Sequence, residues 1–521
     1  MICTFCVMFM HMLTAQEQQI RGRITDQQGN PLEQVIIRLT DRQTFDETDP
    51  DGRFVLQARA GDRADILHVN FKTQSVILEE GMAVVMEESV IALDNILVKA
   101  DPFRDVPQST VIQDRVKSAS QPRNVSDLFK DIPGFGILKR GNYASEPVFR
   151  SFKYEQLNVQ YDGGMKILNA CPNRMDPITT HVIPEEIERI EIVKGPFTVR
   201  FGQNFGGIIN MVSRSTAIAE PGWSGNLETG YETNGGNFSS RASLVRKWER
   251  VDVEANASYR DYGDYTDGAG DKVPSSFRTT DYSIKFGLEP TAGQRIRLTW
   301  RQSFARDVRH AGLPMDSPYD DSYLLGLDYR YLDLGEKLPS LMVKAYYSHV
   351  DHLMSNEERP NHMMTGAESN VFVSTFGGKA ELEIRPSKGL LLFAGMDASL
   401  VGRQGDRIRT IKMMNGMPLP APVVKVDKIW QDSELQVLGL FTEAKYLFSE
   451  RTKLTAGIRT DFVSSEINDP EQDFLDLYGG TIEDQEEVNL SGNVSSPWFS
   501  QSWSTTSSGA SCCSGRSTSC R

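Results

Sequence analysis

A two-residue alternation of apolar and polar side chains, recurring from about residue 220 onward, constrains the fold more than any other feature. One run places five apolar residues on one face and five polar residues on the other, namely Val251, Val253, Ala255, Ala257 and Tyr259 against Asp252, Glu254, Asn256, Ser258 and Arg260. The pattern returns at residues 296–300 and 454–460. Because successive side chains of a strand point to opposite faces, it predicts long strands with one apolar and one polar face.

Composition helps to decide which architecture these strands build. The hydrophobic fraction of 39% and the mean hydropathy of −0.37 argue against a bundle of transmembrane helices. A barrel suits both values because only alternate residues of each strand need be apolar. A soluble sandwich would alternate likewise, but so long a run without a break in composition favours the barrel. We therefore predict an antiparallel transmembrane β-barrel over residues 219–494.

The preceding stretch, residues 149–215, carries a second set of signals. An apolar run ends in the turn Asp162-Gly163-Gly164, and Ile187–Val193 then alternates apolar and charged residues as a half-buried strand does. Lys194-Gly195-Pro196 ends that strand, and residues 208–212 form a second apolar strand. This stretch is therefore expected to contain two strands separated by a turn-rich segment.

These pieces, in this order, resemble the plug domain of TonB-dependent outer-membrane receptors. The residues that carry the resemblance are Ile132-Pro133-Gly134, Asp162-Gly163, Ile187-Glu188-Arg189-Ile190-Glu191, Lys194-Gly195-Pro196 and Gly207-Ile208-Ile209-Asn210. The resemblance implies an α+β plug over residues 104–218, with a short helix near residues 124–129 that we expect Ser126 to cap. Plugged transporters close with about 22 strands, so the predicted barrel is incomplete, with about half of them.

The N-terminal region precedes the predicted plug. Residues 1–15 are apolar and end in Leu13-Thr14-Ala15, which predicts a secretory signal peptide. Residues 16–91 contain short strand patterns separated by turns such as Gly29-Asn30 and Asp51-Gly52, which predict a small β-sandwich. That pattern resembles a carboxypeptidase regulatory-like domain. No zinc-binding or nucleophilic group accompanies it, so we interpret it as a structural or docking module.

Residues 92–103 link the predicted sandwich to the plug. A β-prone peptide here resembles the TonB box, the segment that contacts the inner-membrane energy transducer, and consists of Leu93, Asp94, Asn95, Ile96, Leu97 and Val98. An extended peptide of this kind can add a strand to the sheet edge of a partner. A plain interdomain strand is the alternative.

Cys171 is the single cysteine between the leader and the last ten residues. It lies in residues 169–177, which read NACPNRMDP, and Met175 follows it four positions later. If Pro172 starts a helical turn, both sulfur atoms face the same way. Thiolate and thioether select Cu(I), and the stretch resembles an insertion in the copper-uptake branch of the receptors. The alternative is that Cys171 and Met175 are packing residues.

That resemblance also implies a His-x-Met ligand pair on the barrel. Two pairs occur, His352 with Met354 and His362 with Met364. His352 and Met354 share strand parity with Lys344 and Ser348, which predicts that they face the lumen and the plug. His362 lies in a Pro-Asn loop and is expected at the surface. The predicted metal ligands are therefore Cys171, Met175, His352 and Met354, with copper as the transported ion.

The remaining observations limit the functional classes. A net charge of −14 argues against a nucleic-acid partner, and no enzyme motif is found in the body of the chain. We expect an outer-membrane receptor that imports copper, with the TonB complex and membrane lipid as partners. The alternatives are a receptor for a ferric siderophore or other nutrient, and a truncated fragment that acts at most as a binding module.

Residues 495–521 are rich in Ser, Thr and Cys, and we interpret them as an anomalous tail, translated out of frame.

Overall fold

The structure is a computed structural model that divides into two compact units, Met1–Leu93 and Asp94–Arg521. It describes residues 18–33, 35–40, 44–68, 71–87, 109–112, 122–217, 219–335, 337–387, 389–449, 452–495 and 500–506. The predicted signal peptide and the predicted TonB box, from Leu93 to Val98, lie outside the described residues.

The first unit consists of short strands. They are β1 (Gln18–Thr25), β2 (Ile36–Leu39), β3 (Phe45–Glu47), β4 (Arg53–Ala58), β5 (Arg63–His68), β6 (Phe71–Ile77) and β7 (Met82–Val85). They form two sheets, ordered β4-β1-β7 and β3-β2-β5-β6. Ile20 and Phe54 of the first sheet share one buried core with Ile37 and Ile66 of the second. The alternation of buried and exposed residues therefore produces a sandwich.

The second unit begins with six strands that form the plug sheets. They are β8 (Ser109–Ile112), β9 (Phe135–Lys139), β10 (Ser145–Phe149), β11 (Leu157–Tyr161), β12 (Ile187–Val193) and β13 (Gly207–Ser213). Four 3₁₀ helices accompany them, Val125–Phe129, Tyr154–Gln156, Ile178–Thr180 and Pro184–Glu186. The main sheet has the order β11-β13-β12-β8, with β11 parallel to β13, while β9 and β10 pair separately.

Burial of β12 differs from the sequence expectation of a half-buried strand. Glu191, expected on a polar face, is buried and accepts hydrogen bonds from the amide of Asn210 (2.9 Å) and the guanidinium of Arg189 (3.0 Å). The plug is enclosed on several sides, so its charged residues need partners inside the protein rather than water.

The predicted cap of the first plug helix is also corrected. Asn124, not Ser126, is the N-cap, because its side-chain oxygen accepts a hydrogen bond from the Ser126 amide at 2.8 Å. The Ser126 hydroxyl instead contacts the hydroxyl of Ser145 at 2.5 Å. Both serine and asparagine are favourable caps, so the sequence alone did not separate them.

Thirteen strands form the largest sheet of the described residues. They are β14 (Gly222–Glu232), β15 (Asn237–Lys247), β16 (Val251–Tyr262), β19 (Phe277–Leu288), β20 (Gln294–Val308), β21 (Asp316–Gly335), β22 (Leu338–Ser355), β23 (Thr365–Ser387), β24 (Leu390–Met414), β25 (Met417–Ser449), β26 (Thr452–Ile467), β27 (Gln485–Ser495) and β28 (Ser500–Thr506). Each pairs antiparallel with the next in this order. A ribbon of β17 (Tyr265–Thr266) and β18 (Lys272–Val273), the 3₁₀ helix Pro360–Met363 and α1 (Gln472–Leu477) lie in connections.

The two faces of this sheet are inverted relative to a soluble protein. Asp252 and Glu254 of β16 are buried, whereas Leu298, Trp300 and Ile458 are 40–50% exposed. The predicted alternation, with apolar side chains outward and polar ones inward, is confirmed. No helix in the described part of the chain combines the length and apolar character needed to cross a membrane.

The sheet continues beyond residue 494, where the predicted barrel ends and the predicted anomalous tail begins. The strand β28 lies beyond that point and pairs with β27 from Asn489 to Ser495. Strand pairing uses backbone groups, which a Ser- and Thr-rich segment supplies as well as an aliphatic one. The rest of the predicted tail, residues 496–499 and 507–521, lies outside the described residues.

Candidate metal site between plug and sheet

The plug presents the loop from β11 to β12 to the polar face of β22. Val350, His352 and Met354 alternate along β22 and are all buried in contact with the plug. The Ser348 hydroxyl, on the same face, donates a hydrogen bond to the backbone oxygen of Lys166 at 2.9 Å. Strand periodicity thus directs these β22 side chains to one loop of the plug.

Cys171 and Met354 make the central contact of this interface. The Cys171 Sγ lies 3.3 Å from the Met354 Sδ, and both residues are buried. Cys171 is a free thiol. Met175 belongs to the same buried cluster, at 2% exposure. Two sulfur-containing side chains of the plug, Cys171 and Met175, and one of the sheet, Met354, therefore lie in one buried cluster.

His352 completes the set. A ligand atom of His352, the Cys171 Sγ and a carboxylate oxygen of Asp176 all lie within 4.8 Å of one another. The structure therefore brings together the predicted residues Cys171, His352 and Met354, with Met175 in the adjoining core.

The loop conformation is not the helical turn expected for residues 171–175. Arg174 has φ +55° and its amide donates to the Cys171 oxygen at 2.9 Å, which closes a tight turn. The Asp176 carboxylate accepts hydrogen bonds from the amides of Ala170 (2.5 Å) and Cys171 (3.1 Å). These bonds, rather than helical periodicity, fold the loop and leave Cys171 and Met175 buried.

The second candidate pair lies elsewhere. His362 is in the 3₁₀ helix Pro360–Met363, half-buried, with its Nε2 2.7 Å from the Lys412 ammonium. Met364 is 54% exposed. The structure thus unites the His352 pair, and not the His362 pair, with the plug sulfurs.

Sequence reasoning missed three polar residues beside the sulfur atoms. Asp176, His181 and Asp320 form a buried group whose ligand atoms lie within 4.8 Å of one another. Asp320 is on β21, and its Oδ2 accepts a hydrogen bond from the Tyr143 hydroxyl at 2.6 Å. Asp176 stands directly after Met175 in the sequence, which was its one signal. Nothing in the sequence marks Asp320 among the acidic residues of β21.

Burial raises the pKa values of two plug residues here, Asp176 within this group and Tyr143 beside it. Burial raises the pKa of the Asp176 carboxyl to about 6, an effect that His352 opposes and Asp320 reinforces. Burial, together with the charge of Asp320, also raises the pKa of the Tyr143 hydroxyl well above its ordinary value. Tyr143 therefore stays a neutral hydrogen-bond donor to Asp320.

A tryptophan from the sheet covers the cysteine loop. The indole Nε1 of Trp430, on β25, donates a hydrogen bond to the Ala170 oxygen at 2.7 Å. Ala170 directly precedes Cys171, so this bond fixes the backbone that carries the thiol.

Other contacts between plug and sheet are ionic. Glu186 pairs with the Arg301 guanidinium of β20, and both are almost fully buried. Arg200 pairs with Glu381 of β23, with Nε 3.0 Å from Oε2. Asp162 lies 3.4 Å from Arg297. In each case a permanent guanidinium charge neutralises a buried carboxylate.

Comparison with known proteins places these features in a family context. Residues 102–208 match the TonB-dependent receptor plug domain. The copper transporter OprC has a similar structure, with a TM-score of 0.65 and 25% sequence identity, covering 75% of this chain and 61% of that one. The FrpB iron transporter from Neisseria meningitidis has a TM-score of 0.57 at 15% identity, covering 74% of this chain and 62% of that one, which shows a shared fold.

A curated relative extends this result. The rhizobactin receptor of Rhizobium meliloti is 22% identical over 465 residues, which cover 78% of this chain and 59% of that protein. The chain thus spans about three-fifths of the length of these relatives. The predicted fold class, mainly β with a plug domain and part of an antiparallel barrel, is confirmed. The chain has the plug domain and the fold of a TonB-dependent outer-membrane receptor.

Proposed function

We propose that the protein imports copper across the outer membrane and holds Cu(I) between plug and sheet. The observation that carries the proposal is the 3.3 Å contact between the Cys171 Sγ of the plug and the Met354 Sδ of β22. The proposed ligands are Cys171, Met175, His352 and Met354. The similarity to a protein named as a copper transporter, at 25% identity, supports the same cargo.

The chemistry of these side chains favours Cu(I). Thiolate and thioether are soft ligands, and imidazole adds a borderline nitrogen. Mg²⁺ and Ca²⁺ require a shell made of oxygen ligands, whereas the four proposed ligands supply sulfur and nitrogen only. Because the ligands come from both plug and sheet, movement of the plug would separate them. Energised movement of the plug thus provides a route for release.

Copper titration of the purified full-length chain tests the site. Cys171→Ser is expected to remove most Cu(I) bound against a competing chelator in reducing buffer, because the thiolate supplies the ligand charge. Met354→Leu conserves volume and should weaken binding less, since one thioether is lost. His362→Gln is the matched control and should leave binding unchanged. Full copper occupancy in the Cys171→Ser protein would refute the proposal.

The energy source is a separate part of the proposal. The segment Leu93–Val98 is proposed to pair with TonB as an added strand. Ile96→Pro removes a backbone donor and should abolish energised copper uptake by cells while Cu(I) binding to the purified chain stays intact. Val98→Thr, which keeps the strand donor, is the control. Equal loss of uptake and binding in Ile96→Pro would mean that the segment is structural.

Import of a ferric chelate is the second candidate, because two similar proteins are named as rhizobactin receptor and iron transporter. Uptake of labelled copper and of a labelled ferric siderophore by the same cells separates the two. Siderophore uptake that is unaffected by Cys171→Ser, without copper uptake, would favour this second candidate.

A further inference from the structure

We propose a second cation site in this interface, formed by Asp176, His181 and Asp320 and suited to a borderline divalent cation, Zn²⁺ or Cu²⁺. One ligand atom of each residue lies within 4.8 Å of the others, and all three residues are at most 1% exposed. The donors are one imidazole and two carboxylates, without sulfur. The site is thus chemically distinct from the proposed Cu(I) site, although Asp176 lies in both groups.

The tautomer of His181 leaves a nitrogen available. His181 Nε2 is 3.2 Å from the backbone oxygen of Asp176. A carbonyl oxygen only accepts, so Nε2 carries the proton and Nδ1 keeps its lone pair. Within the described residues, this buried Nδ1 has no hydrogen-bond partner. Histidines that bind metals usually donate their other ring N–H to a carbonyl or carboxylate in this way.

Asp320 is oriented in a comparable manner. The Tyr143 hydroxyl donates a hydrogen bond to the Asp320 Oδ2 at 2.6 Å. The other carboxylate oxygen, Oδ1, lies 3.4 Å from the His352 Nδ1. A hydrogen bond to one carboxylate oxygen orients the other. Oδ1 makes no hydrogen bond within the described residues, and His352 Nδ1 is the nitrogen that faces it.

The charge balance supports a cation. Among the described residues, neither Asp176 nor Asp320 forms an ion pair with an arginine or lysine, whereas Glu186, Glu381 and Asp162 each pair with an arginine. Buried carboxylates need a compensating positive charge or a proton. Asp320 faces His352 at 3.4 Å, but an imidazole is charged only when protonated. A divalent cation among Asp176, His181 and Asp320 would supply a permanent charge.

The donor types select the ion. Imidazole suits Zn²⁺ and Cu²⁺, which also accept carboxylate oxygen, while Mg²⁺ and Ca²⁺ favour all-oxygen surroundings. Cu(I) prefers the adjacent sulfur atoms. The sulfur-containing site is therefore expected to bind Cu(I), and the site formed by Asp176, His181 and Asp320 to bind Zn²⁺ or Cu²⁺.

Titration of the purified full-length chain with Zn²⁺, and separately with Cu²⁺, tests the proposal. His181→Asn should weaken Zn²⁺ binding at least tenfold and leave Cu(I) binding intact. Asp320→Asn retains an acceptor for the Tyr143 hydroxyl and should weaken Zn²⁺ binding to a similar extent. Because two variants test the same site, misfolding of one of them would not decide the result. His310→Asn is the matched control, because His310 is equally buried and also has a buried Nδ1 without a hydrogen bond in the described structure. Unchanged Zn²⁺ and Cu²⁺ affinity in both His181→Asn and Asp320→Asn would overturn the second site.

Cys171→Ser separates this site from the proposed function. It should lose Cu(I) but keep Zn²⁺, and its bound Cu²⁺ should show an electron paramagnetic resonance spectrum with nitrogen coupling that disappears on adding His181→Asn. Loss of Zn²⁺ in Cys171→Ser would place the divalent ion at the sulfur atoms and overturn the second site. Retention of Cu(I) in Cys171→Ser would refute the Cu(I) site alone, because the Zn²⁺ result is read independently.

Discussion

Glu186 and Asp176 are both fully buried carboxylates of the plug, yet their surroundings differ in one respect. Burial raises the pKa of Glu186, but Arg301, Lys285 and other neighbours, among them the Ser283 hydroxyl, together hold it below its ordinary value. Asp176 forms no ion pair with an arginine or lysine among the described residues, and burial raises its pKa to about 6 although His352 opposes the effect. At Glu186 an arginine of the sheet neutralises the buried carboxylate. Around Asp176 the described residues place carboxylates and sulfur atoms together without an arginine or lysine in an ion pair.

This contrast suggests a division of labour. The Glu186–Arg301 and Arg200–Glu381 pairs are complete in the protein alone and fix the plug in the sheet. The region around Cys171 contains donor atoms that a metal would complete. The ionic contacts are therefore expected to govern stability, and the donor-rich region to govern ligand binding.

The largest effect is expected from breaking a complete pair. Arg301→Leu leaves Glu186 buried without its closest cation, and such a loss costs about 3–5 kcal/mol. The free energy of unfolding, measured by urea titration at pH 7 without added metal, should fall accordingly. Arg278→Leu removes one member of an exposed pair with Asp307 and should cost about 0–1 kcal/mol. Equal losses in the two variants would contradict the proposed role of the buried pair.

The pH dependence of stability should have opposite signs at the two carboxylates. Asp176 has a raised pKa in the folded protein, so its contribution to the free energy of unfolding is fully present below about pH 4. That contribution, up to about 3 kcal/mol, is lost as the pH rises through about 6. Glu186 has a lowered pKa, so its contribution is present above pH 4.5 and is lost as pH falls further.

Unfolding free energies measured from pH 3 to 8 without added metal check these signs. Asp176→Asn should flatten the decline between pH 4 and 6, and Glu186→Gln should flatten the loss below pH 4.5. A steeper decline in Asp176→Asn than in the unmodified protein would contradict the environment described for this carboxylate.

The sequence predicted the features that depend on local periodicity. The alternation at residues 251–260 and the strand Ile187–Val193 follow from side-chain direction alone, and parity placed His352 and Met354 toward the plug. Burial of Glu191 was mispredicted because it depends on what surrounds the strand.

Features that depend on distant contacts were not predictable. Asp176 and Asp320 are separated by more than a hundred residues and meet only because β21 and the plug loop face each other. The prediction of a helical turn at residues 171–175 was wrong because the Asp176 side chain accepts hydrogen bonds from the amides of Ala170 and Cys171 and so folds the loop differently. Such long-range and side-chain-to-backbone bonds leave no periodic signal.

The smallest expected effect concerns Trp430, which connects the sheet to the donor-rich loop without supplying a ligand. Trp430→Phe removes the indole N–H that donates to the Ala170 oxygen and should lower the free energy of unfolding by about 1 kcal/mol. Because the loop that carries Cys171 loses one restraint, Cu(I) affinity should fall several-fold, in contrast to Arg301→Leu, whose main effect is on stability. Trp223→Phe, at an exposed tryptophan of β14, is the control in both assays. A Trp430→Phe protein with reduced stability and unchanged Cu(I) affinity would show that the loop holds its geometry through Asp176 alone.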